Sequence, residues 1–107
     1  MDFQELIERA RYIKGRNAEM TAAEGNTPWG AAERFQGLVG NVGDLAKLVM
    51  AKNGFRTYPD LDKKLRHELA DCLWSVIILA DETGVDLENA FFETMDELEA
   101  RANKHRQ

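Results

Sequence analysis

His67-Glu68-Leu69-Ala70-Asp71-Cys72-Leu73-Trp74-Ser75-Val76-Ile77-Ile78-Leu79-Ala80 is the stretch from which the chain is best read. It starts amphipathic and turns almost wholly apolar from Cys72 onward. Glu68 and Asp71 stand where the apolar run begins, and residues three apart in a helix share a face, so the two carboxylates converge. Burying an unpaired charge is costly, so either the acids keep to the solvent edge or a cation sits between them. A helix that is apolar all round is buried all round. A chain of 107 residues has few other helices to cover it, so the expectation is a homodimer or homotetramer with this helix near its centre.

The rest of the composition narrows the class. Hydrophobic residues make up 44% and charged residues 31%, the profile of one soluble globular domain spanning residues 1–107. Fourteen Lys and Arg stand against 19 Asp and Glu, a net charge of -5. That balance argues against sequence-independent nucleic-acid binding, which needs a basic surface to displace counterions. An anionic small molecule remains compatible if metal ions mediate the contact. Cys72 is the one cysteine, without an intrachain disulfide partner, and reads as a reduced core residue. The acidic, helical start is no signal peptide, and the apolar run of about nine residues is far below the ~20 a membrane span needs. A cytoplasmic protein is expected.

No strand-like alternation occurs, and Gly and Pro punctuation divides the chain into four helical segments, an all-α, four-helix bundle-like fold. The first is expected from about Asp2 to Met20, followed by a loop over 22–26. Thr27-Pro28 reads as an N-cap followed by proline at the first helical position, opening a second helix that runs to about Asn53 and closes at Gly54. Phe35, Leu38, Val42, Leu45 and Val49 recur at spacings of three and four, the pattern of a helix packed against a near-antiparallel neighbour. Gly30, Gly37, Gly40 and Gly43 weaken this helix, and their expected use is close approach of another helix or a ligand. Asp60 is placed to cap a third helix from Leu61 to Glu82, and Asp86 a fourth from Leu87 to about Asn103, whose apolar side carries Phe91, Met95 and Leu98. The tail from Lys104 to Gln107 is expected to fray.

Partners for Glu68 and Asp71 are found on the second helix. Asn41 and Asp44 are also three apart, beside the apolar stripe. If the two helices pack antiparallel, these four oxygen-bearing side chains face one pocket. Hard oxygen ligands around a polar cleft suit Mg2+, or Mn2+, with water and phosphate oxygens completing the shell. Paired acids at this spacing are equally common on solvated helix faces, so the residues alone leave the two readings open. No zinc-ligand spacing is present. Lys47 and Lys64 lie a turn from the acids and can border the cleft. Lys52, Arg56 and Lys63 cluster at the connection at one end of it. Trp29, beside Pro28, either stacks on a planar ligand or plugs the end of the bundle. Trp74 reads as core or subunit interface, and His67 as surface.

Val42-Gly43-Asp44-Leu45-Ala46-Lys47, Glu68-Leu69-Ala70-Asp71-Cys72-Leu73-Trp74 and Gly84-Val85-Asp86-Leu87-Glu88 resemble the MazG-type all-α nucleoside triphosphate pyrophosphatases. That family carries Glu-Glu-x-x-Glu on one helix and Glu-x-x-Asp on the next, and Glu68-Leu69-Ala70-Asp71 matches the second. The resemblance covers about Trp29 to Arg101. It implies Mg2+-dependent hydrolysis of a (deoxy)nucleoside triphosphate to the monophosphate and pyrophosphate, often as removal of non-canonical nucleotides. Asn41, Asp44, Glu68 and Asp71 then hold metal, Asp44 or Glu68 accepts the proton of the attacking water, and Trp29, Lys47, Lys52 and Lys64 meet the substrate. The first motif departs from the family. Gly40-Asn41-Val42-Gly43-Asp44 stands where two acids and a third are expected, so Asp44 reaches one methylene less far and Asn41 offers only an amide oxygen. One charge fewer weakens metal binding, by about 1–3 kcal/mol in analogy with lost charged hydrogen bonds. The alternative reading is a weakened or inactive relative serving as a nucleotide-binding or protein-association module.

Overall fold

In the computed structural model, which describes residues 2–54 and 57–105, every element is an α-helix: α1 (Phe3–Ala23), α2 (Ala31–Lys52), α3 (Leu61–Glu82) and α4 (Leu87–His105). The expected bounds of α3 are met at both ends. Gly54 and Gly84 take positive φ (86° and 74°) after α2 and α3, as their C-terminal punctuation requires. Asp86 caps α4 by accepting the Asn89 N–H at 3.2 Å. The connection residue Arg56 and the last two tail residues lie outside the described residues.

Four local readings are corrected. The second helix opens at Ala31, not at Thr27-Pro28. Pro28 suits extended backbone as well as a first helical turn, and the choice falls to Glu33, whose carboxylate takes the N–H of the N-cap Gly30 at 3.2 Å. Trp29 therefore precedes α2 instead of beginning it. α1 continues one turn past Met20 because nothing before Gly25 (φ 83°) breaks it. α4 runs on through Lys104 and His105, two residues that suit the negative end of a helix. Asp60 sits before α3 with a left-handed backbone (φ 52°), and its side chain makes no cap bond. Only its carbonyl serves the helix, accepting the Lys64 N–H at 3.0 Å.

α2 and α3 run antiparallel, as the ion pairs at their two ends show. Arg34 at the start of α2 meets Glu82 at the end of α3 at 3.0 Å, and Lys52 at the far end meets Asp62 at 2.7 Å. α1 lies against the second half of α3, where Ile7 and Ala10 meet Ile77 and Ile78 in the main core. Leu48 and Ala51 of α2 are also buried. α4 touches the rest only near its start, where Phe91 and Phe92 pack against Phe3 with ring centroids about 6 Å apart (6.0 and 6.3 Å).

The apolar stripe expected to bury α2 does not meet α3 as a whole. Leu38 and Leu45 are half-buried, but Phe35, Val42 and Val49 remain exposed, Phe35 at 57%. The helix is rotated so that Arg34, Gly37, Asn41 and Leu48 lie inward instead. The buried Arg34–Glu82 pair explains the rotation: both side chains are only 11% exposed, and a charge taken out of water must keep its partner. Nor is α3 covered all round within one chain, since Leu69, Leu73 and Val76 are exposed. Phe91, Met95 and Leu98 of α4 are also exposed.

The result is an elongated molecule. Its radius of gyration is 17.2 Å, against about 13 Å for a compact chain of this length. No described helix is long and apolar enough to cross a membrane.

Candidate active site

Gly37, Asn41, Asp44 and Leu48 are spaced four, three and four residues apart, and Lys64, His67, Asp71 and Trp74 three, four and three. Each set forms one stripe along its helix. Facing each other across the antiparallel pair, the two stripes line two hollows, one around Asp44 and one around Asn41.

The largest hollow, about 510 Å³, brings Asp44 of α2 to Glu68 and Lys64 of α3. Leu48, Asp60, Lys63, His67 and the connection residue Tyr58 also line it, and the Lys64 ammonium sits over the Tyr58 ring, 4.9 Å from its centroid. Oε2 of Glu68 is buried without a hydrogen-bond partner among the described residues, as is Oε2 of Glu82 at the far end of α3. A carboxylate oxygen withdrawn from water and unpaired is destabilising unless something binds it.

The second hollow, about 130 Å³, brings Asn41 to Asp71, walled by Gly37, Arg34, Trp29 and Trp74. Asp71 also lies 3.2 Å from His67 Nε2, one turn away on the surface of α3. The four oxygen-bearing residues read from the sequence thus come together as two neighbouring pairs, Asp44 with Glu68 and Asn41 with Asp71. Among the described residues no three His, Cys, Asp or Glu side chains gather closely enough to enclose a metal ion. Cys72 sits behind this edge, its thiol pushed up from the ordinary range first by burial and then by the charges of Glu68 and Asp71.

Of the cations read as substrate contacts, Lys64 lines the acid hollow. Lys47 is exposed and stands outside it. Lys52 is engaged with Asp62 on the surface, where its hydrogen bond and charge hold the Asp62 carboxyl below the usual range. Tyr58 was not singled out by the sequence, and no periodic signal marks it, because it reaches the rim from an irregular connection.

Trp29 lies across Gly37. A Cβ built on Gly37 would stand 2.8 Å from the indole, so this glycine makes room for a side chain of the segment before its own helix and not for the second helix or ligand expected there. Gly40 and Gly43 make no close approach: a Cβ on either would meet nothing within 4 Å. A third hollow of about 360 Å³ opens on the far side of Trp29 and Trp74, toward α1.

A family model of the MazG nucleotide pyrophosphohydrolase domain matches residues 32–106, well over half of the chain. The chain belongs to the MazG nucleotide pyrophosphohydrolase family. No curated protein matches it, and no solved structure does. The MazG match takes in both acid pairs and Lys64, while α1 and Trp29 lie ahead of it. Membership in the MazG family brings nucleotide pyrophosphohydrolase activity as the family-level reading.

Proposed function

We propose that this MazG-family chain hydrolyses (deoxy)nucleoside triphosphates to monophosphate and pyrophosphate with Mg2+, or Mn2+, as cofactor. The observation that carries the reading is the buried, unpartnered Oε2 of Glu68 in a hollow shared with Asp44 and bordered by Lys63 and Lys64. An orphan carboxylate oxygen beside a second acid fits a hard divalent cation. Mg2+ is commonly held by one or two protein carboxylates, with water and substrate phosphates filling the other positions, so the absence of a closed cage of ligands suits it. Glu68 and Asp44 are the principal ligands in this proposal, with Asp71 and the amide oxygen of Asn41 next along the row. The cation supplies neutralisation of phosphate charge and acidification of a bound water.

The residues divide the remaining work. Lys63 and Lys64 face the polyphosphate as fixed cations, and the stacking of Lys64 over Tyr58 restrains a side chain that would otherwise lose entropy on binding. Asp44 or Glu68, whichever has an oxygen free, takes the proton of the attacking water. Trp29 and Trp74, beside Asn41 and Asp71, offer flat faces for the base at the other end of the row. Lys47 and Lys52 retain at most a peripheral role.

The bare apolar faces of α2 and α3 belong to the same proposal. Phe35, Val42, Val49, Leu69, Leu73 and Val76 are each more than 40% exposed, and exposed apolar surface on this scale marks an interface. A second copy of the chain covers it in a homodimer or homotetramer. The radius of gyration, that of a compact protein about twice as long, agrees with a protomer shaped by its partner.

Asn41 and Gly40 favour one other reading, a relative that binds nucleotide without turning it over. The two are separated by measuring pyrophosphate release from canonical and modified (deoxy)nucleoside triphosphates with Mg2+ or Mn2+. Metal-dependent release that falls by about a hundredfold or more in Glu68→Ala establishes the enzyme. Release only after Asn41→Asp means a retired site, and silence from both overturns catalysis.

A further inference from the structure

Ser75 is the one buried polar residue among the described ones, only 5% exposed, and the hydrolytic scheme leaves it without a role. It stands one turn beyond Asp71 on α3 and lines the small hollow that also holds Asn41, Asp71 and the two tryptophans. A hydroxyl on a helix commonly donates to the carbonyl four residues back. Thr21 does so to Asn17 at 2.9 Å, and Thr83 to Leu79 at 2.7 Å. Ser75 makes no such bond, nor any other side-chain hydrogen bond among the described residues. Its oxygen is not sealed off as those of Glu68 and Glu82 are, so the hydroxyl opens into the hollow. A group this deep is costly unless a ligand or water takes its hydrogen bond.

The other polar groups of the hollow are partly spoken for or more open. Arg34, 11% exposed, donates its Nε–H to Glu82 at 3.0 Å. Asn41 and Asp71 are half-buried on the metal side, and the Trp29 indole N–H sits on a ring 57% exposed.

Place and size decide what the hollow takes. The phosphates have the hollow of about 510 Å³ around Asp44 and Glu68. A base has the one of about 360 Å³ on the far side of Trp29 and Trp74, within the range of small-molecule sites. The hollow at Ser75 holds about 130 Å³, the share of about four waters, and takes only a fragment of a ligand. It shares Trp29, Arg34 and Trp74 with the base side and adjoins the acids through Asn41 and Asp71. Ser75 stands about 10 Å beyond Glu68 by helix rise. In a nucleotide the fragment between phosphates and base is the sugar.

We propose that Ser75 is a specificity-determining residue that binds a ring hydroxyl of the substrate's sugar, with the sugar seated in this hollow. The inference rests on the nucleotide reading of the site and deepens it. A sugar hydroxyl donates and accepts, as Ser75 does, so the pair is matched whichever oxygen carries the shared proton. A ligand that enters must replace the hydrogen bonds that water makes there. A ring hydroxyl does so at Ser75, and a bare C–H edge does not.

The chain's two tryptophans both line this hollow, so intrinsic fluorescence reports on it. The test titrates nucleoside 5′-monophosphates of the four bases with Mg2+, in ribo, 2′-deoxy and 2′,3′-dideoxy forms, into wild type and Ser75→Ala. Monophosphates hold no pyrophosphate to release, so the measurement stands whether or not the chain turns over triphosphate. In wild type the dideoxy form should bind about tenfold more weakly than the better of the other two. Ser75→Ala should bring that difference within about twofold by weakening the hydroxylated forms alone. The substitution takes a bond from no protein group, so the thermal midpoint should hold or rise. A lowered midpoint would mean that the hydroxyl serves the fold, and overturns the role. Dideoxy forms that wild type binds as tightly as the others overturn it too, as does a penalty that survives Ser75→Ala. Quenching by no monophosphate, with triphosphate hydrolysis intact, overturns the sugar site and leaves the enzyme standing. A dideoxy penalty lost in Ser75→Ala, in a chain that releases no pyrophosphate, upholds the sugar site and overturns catalysis.

Discussion

The two sides of the α2–α3 pair are built from the same helices and have opposite characters. One side carries Asn41, Asp44, Glu68 and Asp71 in two neighbouring hollows, the second of them walled by Trp29. The other carries Phe35, Val42, Val49, Leu73 and Val76, and none of the described residues covers it. In a self-contained bundle the apolar side would be the core and the polar side the surface. Here the polar side is the more enclosed one, with Asn41, Glu68 and Asp71 half-buried while the apolar residues opposite stay open.

The largest break in that contrast is expected from the polar side. Arg34→Ala leaves Glu82 with Lys14 at 3.4 Å as its remaining partner in a poorly solvated position, at a cost of up to about 3 kcal/mol in urea unfolding. Loss is expected to be much smaller in the double variant Arg34→Met with Glu82→Leu, which removes both charges. The acid row should respond in the opposite sense. Glu68→Gln is expected to leave stability unchanged or raise it by about 1 kcal/mol, because Oε2 has no partner to lose, even as pyrophosphate release falls. A stability loss there would mean that Glu68 is a structural residue.

On the bare side, Leu73→Glu should convert the assembly to monomer in sedimentation velocity, with helicity retained, since Leu73 is 53% exposed in the single chain. An unchanged mass would assign the interface elsewhere. The smallest effect sharpens the same point. Gly40→Ala and Gly43→Ala meet no atom within 4 Å, so each should raise stability by about 0.5–1 kcal/mol through helix propensity. A loss instead would place a partner's backbone against that glycine.

The bounds of α3 were legible because the Pro59 connection and Gly84 punctuate them, although the Asp60 side chain read as its cap makes no cap bond. The Asp86 cap and the glycine stops were legible for the same reason. The start of α2 was not. It depends on Glu33 reaching Gly30 and on Trp29 seating against Gly37, and the second of these contacts exists only once the chain has folded back. The rotation of α2 was hidden as well, since apolar spacing of three and four fits more than one stripe, and the Arg34–Glu82 pair that selects among them spans 48 residues. Within the site, Glu68 and Asp71 could be read because they share a turn, and Asp44 because it shares one with Asn41. Tyr58 carries no such pattern, because it reaches the rim from an irregular connection.

The α2–α3 hairpin also sets the order in which the protein comes apart. Most of the inter-helix packing joins these two neighbours across a short connection, whereas α4 is fastened chiefly by three aromatic rings near its start. Contacts local in sequence form quickly, and segments with few of them open first. In native-state hydrogen exchange the second half of α4 should trade its amides at close to the rate of a free peptide. The amides of α2 and α3 should persist longest, so the two motif-bearing helices remain paired after the helices around them have begun to open.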